Sequence, residues 1–187
     1  MKLGSLLHGS ARPASHAGRT IGTPRRYDLV TAILFAGRRH QSFRSLAAAS
    51  GVRSGDWVLD VGAGTGYFAR MLAETVGPHG AVVGVDAAPE MVAHARSQSR
   101  SAANVSFEVG NAAALSFPDS SFEVVVSSLT MHHLDPADQL PAVSEMRRVL
   151  KPGGRLLIAE FQAPRATSGS FFSGRPDWRR WRMRFRT

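Results

Sequence analysis

Five short apolar runs recur along the middle of the chain, each separated from the next by a longer segment. The runs are WVLDV (57–61), AVVGVD (81–86), VSFEV (105–109), FEVVVSS (122–128) and GRLLIAEF (154–161). They are continuously apolar rather than alternating, which is typical of strands that are covered on both faces. The intervening segments are long enough to hold crossover helices. The pattern therefore predicts an α/β fold with a doubly wound, mostly parallel sheet.

Helix boundaries are visible in several of the intervening segments. FARMLAETVG ends at a glycine followed by Pro78, and APEMVAHARSQ opens with Pro89, a residue favoured in a first helical turn. Upstream, RYDLVTAILFAGRRHQSFRSLAAAS predicts helices broken near Gly37. Arg147, Arg148 and Lys151, before PGG, predict a solvated helix end.

The two ends of the chain differ from its middle in charge and composition. The 187 residues carry a net charge of +9, but the excess lies in residues 1–26 and 161–187, so residues 27–160 carry a net charge of −2. This distribution predicts three regions: a disordered basic leader (1–26), one folded domain (27–165) and a basic tail rich in Arg and Trp (166–187). Because the domain has no basic excess, nucleic acid is not an expected partner of it.

Cysteine is absent from the sequence, which excludes a disulfide framework, a thiolate metal site and a cysteine nucleophile. The absence favours a reducing cytoplasm as the compartment. No apolar run reaches the roughly 18 residues that a membrane-spanning helix needs. No metal site is predicted, since the adjacent His132 and His133 have no evident third ligand. The sequence does not indicate an oligomeric state.

A glycine-rich turn follows the first predicted strand. Asp60 precedes three glycines, Gly62, Gly64 and Gly66, at the edge of the sheet where ligands of open parallel sheets bind. Glycine permits a sharp turn and close approach of a ligand to the main chain. The carboxylate of Asp60 favours a ligand that carries positive charge. Asp86 ends the second strand, where an acid can accept hydrogen bonds from both hydroxyls of a ribose, so the pattern predicts a nucleoside with a cationic substituent.

Four ordered segments, covering about residues 55–161, carry a resemblance to a known family. They are VLDVGAGTGYFARML, VVGVDAAPEMVAHAR, VGNAAALSFPDSSFEVVVSSLTMHHL and EMRRVLKPGGRLLIAEF. In order and spacing they resemble the motifs of class I S-adenosylmethionine-dependent methyltransferases, in particular the small-molecule branch of ubiquinone and menaquinone biosynthesis. The resemblance implies a Rossmann-like sheet, S-adenosylmethionine as cofactor and a small-molecule methyl acceptor. It places the methionine part against the three glycines with Asp60 near its amino group, and the ribose at Asp86.

The resemblance also implies the remaining contacts with the cofactor. Ala87 would flank the adenine, and Asn111 with Ala112 would meet its exocyclic amine and ring edge. Ser127 would line the cofactor at the end of the fourth strand. The family usually has Asp at the position of Asn111. An amide oxygen can still accept the hydrogen bond of the amine, without the charge assistance of a carboxylate.

His133 is the candidate catalytic residue. It follows the fourth strand in MHHLDP, where the resemblance implies a residue near the transferred methyl group, and imidazole titrates in a useful range for a general base. Alternatively, His132 or His133 only packs against or caps the following helix. Arg38, Arg39 and His40 could bind an acidic substrate, but such a cluster is more often a solvated helix end, and no site is assigned to it.

Two alternatives to an active methyltransferase stay open from the sequence. The family fold usually adds a helix and an antiparallel strand pair after the fifth strand, whereas only 26 residues follow Phe161. We therefore expect a sheet truncated after the fifth strand, and a cofactor-binding but catalytically silent protein is one hypothesis. A nicotinamide-dependent oxidoreductase is the other, and it is disfavoured by the G-x-G-x-G spacing of the glycines.

Overall fold

The computed structural model of the protein describes residues 38–160 and, outside that range, Pro24. Most of the predicted leader, the predicted helix before Gly37 and the tail 166–187 lie outside the described residues. The division of the chain into a leader, a domain and a tail therefore stays a prediction.

Residues 38–160 contain five strands, four α-helices and one 3-10 turn. The strands are β1 (Trp57–Val61), β2 (Ala81–Asp86), β3 (Val105–Val109), β4 (Phe122–Ser128) and β5 (Leu150–Ala159). The helices are α1 (Arg39–Ser50), α2 (Tyr67–Val76), α3 (Pro89–Gln98) and α4 (Pro136–Arg148). The strands form one sheet in the order β3-β2-β1-β4-β5, and every pairing is parallel. The predicted α/β class and parallel sheet are thus confirmed, and Pro89 begins α3 as expected.

The first four strands have the predicted bounds, but the fifth does not. β5 begins at Leu150 rather than Gly154, because Phe122 of β4 pairs with Leu150 before the ladder shifts register and resumes between Val124 and Arg155. The skipped residues include Gly153, whose φ of +75° is unfavourable for other residue types. An irregular start of this kind is a property of the pairing between strands, so the apolar pattern of one strand does not reveal it.

The two faces of the sheet have separate apolar cores. On one face, Val58 and Val82 pack with residues of α1, α2 and α3 such as Phe43 and Leu72. On the other face, Leu59 and Val125 pack with Met146 of α4 and with the segment that follows β3. Because successive strand residues point to opposite faces, coverage on both sides requires apolar residues at every position. This explains the continuous apolar runs in the sequence.

The order in which successive strands are added to the sheet reverses between β1 and β4. The strands β1, β2 and β3 follow one another to one side, and the chain then returns so that β4 pairs with β1 on the other side. Such a switch point leaves a crevice at the carboxyl ends of the two central strands, where ligands of this architecture bind. Asp60 and the glycine turn lie at this crevice.

Arg148 at the end of α4 and Lys151 in β5 are bound to the protein rather than solvated, contrary to the sequence expectation. The guanidinium of Arg148 donates to both carboxylate oxygens of Glu145, at 2.7 and 2.8 Å, and to Asp119 at 2.7 Å. It also donates to the carbonyl oxygens of Leu115 and Phe117, at 2.9 and 2.8 Å. These bonds attach the segment after β3 to α4.

Lys151 forms an ion pair with Glu123 at the opposite end of the sheet from the crevice. The second oxygen of Glu123 accepts the backbone N–H of Trp57 at 2.8 Å. Arg147, in contrast, is exposed as expected. Within residues 38–160, no helix combines the length and the apolar character that crossing a membrane requires.

Candidate functional site

The glycine turn joins the carboxyl end of β1 to the first residue of α2. Gly62, Gly64 and Gly66 have φ values of +79°, +53° and +75°, a backbone region that disfavours other residue types. The backbone N–H groups of Gly62 and Ala63 both donate to the carbonyl oxygen of Val85, at 2.8 and 3.0 Å. These bonds hold the turn against the end of β2.

Two of the three glycines are also required by packing within the protein. A Cβ atom at Gly62 would lie 2.0 Å from Oγ1 of Thr130, and one at Gly66 would lie 2.6 Å from Cζ of Phe107. The space beside these two glycines is thus filled by the side chains of Thr130 and Phe107. Sequence reasoning attributed the glycines to a sharp turn and to approach of a ligand, and it missed this packing against Thr130 and Phe107.

Asp86 connects the end of β2 to the glycine turn. One carboxylate oxygen accepts the N–H of Gly64 at 2.7 Å, and the other accepts the N–H of Ala88 at 2.9 Å. Burial, the largest influence, and the charge of Glu90 raise the pKa of Asp86, and the two backbone hydrogen bonds offset this only in part. An ionised carboxylate has about four acceptor positions, so each oxygen retains capacity for a further donor.

Asp60 is the most deeply buried acid of the site, with 1% of its surface exposed. Burial, and secondarily the charge of Asp86, raise its pKa to about 7, while the backbone N–H of Ala69 acts in the opposite direction. Its Oδ2 makes no hydrogen bond within the described part of the chain, and the same holds for the buried hydroxyl of Ser128. A buried polar atom without a partner is costly, and a ligand at this point would relieve that cost.

Asp60 and Ser128 line one narrow cavity of about 30 Å³ in the crevice between β1 and β4. Its other walls include Arg39 and Phe43 of α1 and Tyr67 of α2. The guanidinium carbon of Arg39 lies 4.1 Å from the ring centroid of Tyr67, a cation–π arrangement. Arg39 is therefore a wall of the cavity and not the solvated helix end that its sequence context predicts.

Ser127, the serine assigned to the cofactor from the sequence, does not line this cavity. Ser127 and Ser128 are neighbours on β4, so their side chains face opposite sides of the sheet. Ser127 is fully buried, and its hydroxyl also makes no hydrogen bond to a described residue. The proposed contact of Ser127 with the cofactor stays a prediction.

A larger cavity of about 590 Å³ lies along the outer edge of β3. Arg96 and Ser99 of the α3 region and residues 105–109 line it. None of the residues predicted for the site belongs to this lining. The chemistry-bearing residues of the described chain therefore point to the crevice between β1 and β4 rather than to the larger cavity.

Asn111 and its neighbours lie beyond β3, next to the end of β2. The N–H of Gly110 donates to the backbone oxygen of Asp86 at 3.0 Å, which keeps this segment close to Asp86. The side-chain oxygen of Asn111 accepts the N–H of Ala113 at 2.9 Å, so one of its two lone pairs is already used. Ala112 is buried and Ala87 is exposed.

His133 ends a single 3-10 turn, Met131–His133, in the loop after β4. Its side chain is partly buried, and its backbone N–H donates to the carbonyl oxygen of Thr130 at 2.9 Å. Burial lowers the pKa of His133, and the adjacent His132 lowers it further, whereas Glu160 and Asp86 raise it. The imidazole is thus neutral at pH 7, and it lies within electrostatic reach of Asp86.

Glu160 is a residue of this region that sequence reasoning missed, since it lies in the apolar run GRLLIAEF. Its Oε2 lies 2.7 Å from Nδ1 of His132, and the rings of His132 and His133 are 3.9 Å apart between centroids. A signal was available: an acid directly after a buried strand lies at the ligand-binding edge of a parallel sheet. In the described residues no group of three or more potential ligands is placed to hold a metal ion.

Comparison with known proteins identifies the family. The sequence model of the methyltransferase domain matches residues 58–154, just over half of the chain. The chain belongs to this methyltransferase family. The resemblance found in the sequence motifs is thereby confirmed, and the match gives no support to a nicotinamide-dependent oxidoreductase.

The ubiquinone/menaquinone biosynthesis C-methyltransferase UbiE of Pasteurella multocida is 39% identical over 142 residues, which cover 74% of this chain and 52% of that protein. The chain thus spans about half the length of the curated relatives it matches.

Solved structures agree with this assignment. The YcgJ protein of Bacillus subtilis matches with a TM-score of 0.60 at 36% identity, over 68% of this chain and 53% of that one. A SAM-dependent methyltransferase from Aquifex aeolicus matches with a TM-score of 0.65, over 80% of this chain and 79% of that one. At 24% identity the second match shows the fold, and it confirms the Rossmann-like class.

Proposed function

We propose that this chain binds S-adenosylmethionine in the crevice between β1 and β4 and transfers its methyl group to a small molecule. The observation that carries the proposal is Asp60: a buried carboxyl, next to a second acid, with one oxygen that lacks a partner among the described residues. Such a group suits a cationic ligand, because a nearby positive charge stabilises the ionised carboxylate. Membership of the methyltransferase family supports the same conclusion.

The polar groups around the crevice fit the parts of this cofactor. Gly62, Gly64 and Gly66 would border its methionine part, with Asp60 near the ammonium. The acceptor positions that Asp86 retains after bonding to two backbone N–H groups would take the ribose hydroxyls.

The adenine would lie between the ends of β2 and β3. Ala87 would flank the ring, and Ala112 would meet its edge beside Asn111. The remaining lone pair of the Asn111 oxygen would accept the exocyclic amine, and Ser127 is assigned to the cofactor from the family motif. Because one lone pair of Asn111 is committed to Ala113, it can contribute a single hydrogen bond through this oxygen.

When bound, S-adenosylmethionine would supply a methyl group attached to a cationic sulfur, and this sulfur is the leaving group, which becomes a neutral thioether. The residues of the chain then have two tasks: to align the acceptor with that methyl group, and to remove a proton where the accepting atom carries one. His133 is the proposed base, since its imidazole is neutral at pH 7 and can take up a proton at a ring nitrogen. The relatives named as C-methyltransferases favour a carbon acceptor.

Calorimetric titration of the full chain with S-adenosylmethionine and with NAD tests the proposal. We expect S-adenosylmethionine to bind and NAD not to bind. Asp86→Ala should weaken the binding by about thirtyfold or more, equivalent to about 2 kcal/mol, because the bonds to two ribose hydroxyls are lost together.

Asp86→Asn separates the effect of the lost charge from the effect of the lost hydrogen bonds to the glycine turn and α3, since the amide oxygen still accepts one backbone N–H. Glu90→Gln is the matched control: Glu90 is exposed in the first turn of α3 and contributes to the electrostatics of Asp86. It should change the affinity by less than threefold. Binding of NAD in place of S-adenosylmethionine, or an unaltered affinity in Asp86→Ala, would contradict the proposal.

A further inference from the structure

The loop after β4 begins with a strained residue. Leu129 has a φ of +57°, in the left-handed region that costs free energy for a residue with a Cβ atom, and its side chain is buried. A conformation of this kind persists only where the surrounding structure imposes it, and it is common at functional sites. The question is which contacts impose it here.

The end of β5 supplies those contacts. The N–H of Leu129 donates to the carbonyl oxygen of Ala159 at 2.8 Å. The next two N–H groups, of Thr130 and Met131, both donate to Oε1 of Glu160, at 2.8 and 2.7 Å. Three successive N–H groups of the loop therefore donate to Ala159, the last residue of β5, and to Glu160, which follows it. The two bonds to Glu160 have a carboxylate as acceptor, which strengthens them.

The second oxygen of Glu160 is also used. It lies 2.7 Å from Nδ1 of His132, whose side chain is 45% exposed while that of Glu160 is 25% exposed. An exposed ion pair alone contributes little. The two partly buried bonds to the backbone are what distinguish Glu160 from a surface partner of a histidine, because a carboxylate that accepts two adjacent N–H groups fixes the path of the backbone.

The loop held in this way contacts the glycine turn directly. Oγ1 of Thr130 lies 3.3 Å from the carbonyl oxygen of Gly62 and 3.2 Å from that of Ser128, either of which can accept its proton, and the side chain fills the space that a Cβ of Gly62 would need. His133 follows on the same turn. The position of Glu160 therefore affects both the glycine turn on one side and the candidate base on the other.

We infer that Glu160 is a positioning residue: it clamps the strained loop after β4 and so sets where Thr130 and His133 stand relative to the glycine turn. Its consequence for the cofactor rests on the proposed function. The clamp itself does not, since it is a matter of backbone hydrogen bonds. The two parts can therefore be tested separately.

Hydrogen exchange of individual backbone amides tests the clamp. In Glu160→Ala, the amides of Thr130 and Met131 should exchange at least tenfold faster than in the natural sequence, while those of Val124–Val126 in β4 change by less than twofold. Glu108→Ala is the matched control, a glutamate on β3 whose removal should leave all these amides within twofold. Unchanged exchange at Thr130 and Met131 in Glu160→Ala would overturn the inference.

Glu160→Gln provides rescue and a safeguard. The amide oxygen still accepts the backbone N–H groups, but without charge, so exchange at the two amides should fall between the natural sequence and Glu160→Ala. If Glu160→Ala does not fold, Glu160→Gln decides alone: exchange at least threefold faster supports the clamp, and unchanged exchange refutes it. The ring proton signals of His133 should also titrate at lower pH in Glu160→Gln, because Glu160 raises the pKa of His133.

Calorimetry with S-adenosylmethionine tests the consequence for the cofactor. Glu160→Ala should weaken the binding at least fivefold through the displaced glycine turn, and Glu160→Gln and Glu108→Ala should stay within twofold. Equal affinity in all variants would overturn the link between the clamp and the cofactor. If the natural sequence does not bind S-adenosylmethionine, the proposed function fails, and the exchange experiment still decides whether Glu160 holds the loop.

Discussion

The buried carboxyl of Asp60 predicts that cofactor binding is coupled to release of a proton. Burial and the charge of Asp86 raise the pKa of Asp60 to about 7, so about half of the carboxyl groups are neutral at pH 7 in the absence of ligand. A cation bound beside the carboxyl favours its ionised form and lowers its pKa. Binding should therefore become tighter as the pH rises towards 7, with a proton leaving Asp60.

The size of the effect follows from the pKa. If the bound cation brings the pKa of Asp60 below about 5, the ionised fraction available for binding rises from about a tenth at pH 6 to a half at pH 7. The affinity should then rise about fivefold over this interval, equivalent to about 1 kcal/mol. About half a proton should be released for each cofactor bound at pH 7. The interval lies below the usual α-amino pKa of about 8, so the ligand keeps its ammonium charge.

Calorimetry at pH 6 and pH 7, in two buffers with different ionisation enthalpies, measures both the affinity and the number of protons released. Asp60→Asn is the control, because an amide of similar shape does not titrate. It should release less than about a tenth of a proton and vary in affinity by less than twofold between the two pH values. His133 titrates below its ordinary pKa and accounts for any residual change in that variant. The reasoning is refuted if the natural sequence binds equally well at both pH values, or if Asp60→Asn releases as many protons.

The same shift has a consequence for the stability of the ligand-free protein. The folded pKa of Asp60 is raised above the ordinary value of 3.8, so its contribution to stability is fully present below about pH 4 and is lost as the pH rises to 7. Thermal unfolding at pH 5 and pH 7 measures this loss. Asp60→Asn should remove that part of the pH dependence, and S-adenosylmethionine should stabilise the natural sequence more at pH 7 than at pH 6.

Three further predictions concern packing and the ends of the domain. Gly62→Ala should lower the Tm, and it should weaken the binding of S-adenosylmethionine at least tenfold, because its Cβ would overlap the side chain of Thr130. Addition of Thr130→Gly should restore part of the Tm and part of the affinity. Arg148→Met should reduce the free energy of unfolding, measured with urea, by about 2–3 kcal/mol, since two backbone carbonyls and two acids lose their donor, whereas the exposed Arg147→Met should change it by less than about 0.5 kcal/mol. A chain that ends at Arg165 should bind S-adenosylmethionine within about threefold of the full chain, because every residue assigned to the cofactor lies between Asp60 and Ser127. A shortened chain that does not fold, or that binds about tenfold more weakly, would contradict this.

The strands were predictable because a strand that is covered on both faces of the sheet needs apolar residues on both, and this produces a short apolar run in the sequence. The runs of the inner strands β1, β2 and β4 are mainly apolar, whereas VSFEV of the edge strand β3 alternates, and each of the four runs has the bounds that the structure gives it. The start of β5 was not predictable in this way. It depends on the pairing of Phe122 with Leu150 and on a register shift across Gly153, and both are properties of two strands together.

The site shows the same division between local and tertiary information. Asp60 and Asp86 could be chosen from the sequence, since each lies at the carboxyl end of a buried strand, within β1 and at the last residue of β2. That Ser128 rather than Ser127 lines the cavity beside Asp60 could not be predicted, because it depends on the register in which Asp60 pairs with Val126 of β4. That register puts Ser128, two residues beyond Val126, on the same face as Asp60. Arg39 was missed for a similar reason, since its stacking on Tyr67 arises only when α1 and α2 are packed together.

Three acids stand at or near strand ends around the crevice, and the bonds they make separate their roles. Asp86 accepts N–H groups of the glycine turn and of the start of α3, and Glu160 accepts two N–H groups of the loop after β4. Both therefore hold neighbouring backbone in place, and substitution by Ala removes this support along with the charge. Asp60 differs, because its Oδ2 has no hydrogen-bond partner in the described chain although the side chain is buried. Of the three, Asp60 is the acid with an oxygen that no described residue uses, so its replacement should report on a ligand in the crevice with the least disturbance of the turns around it.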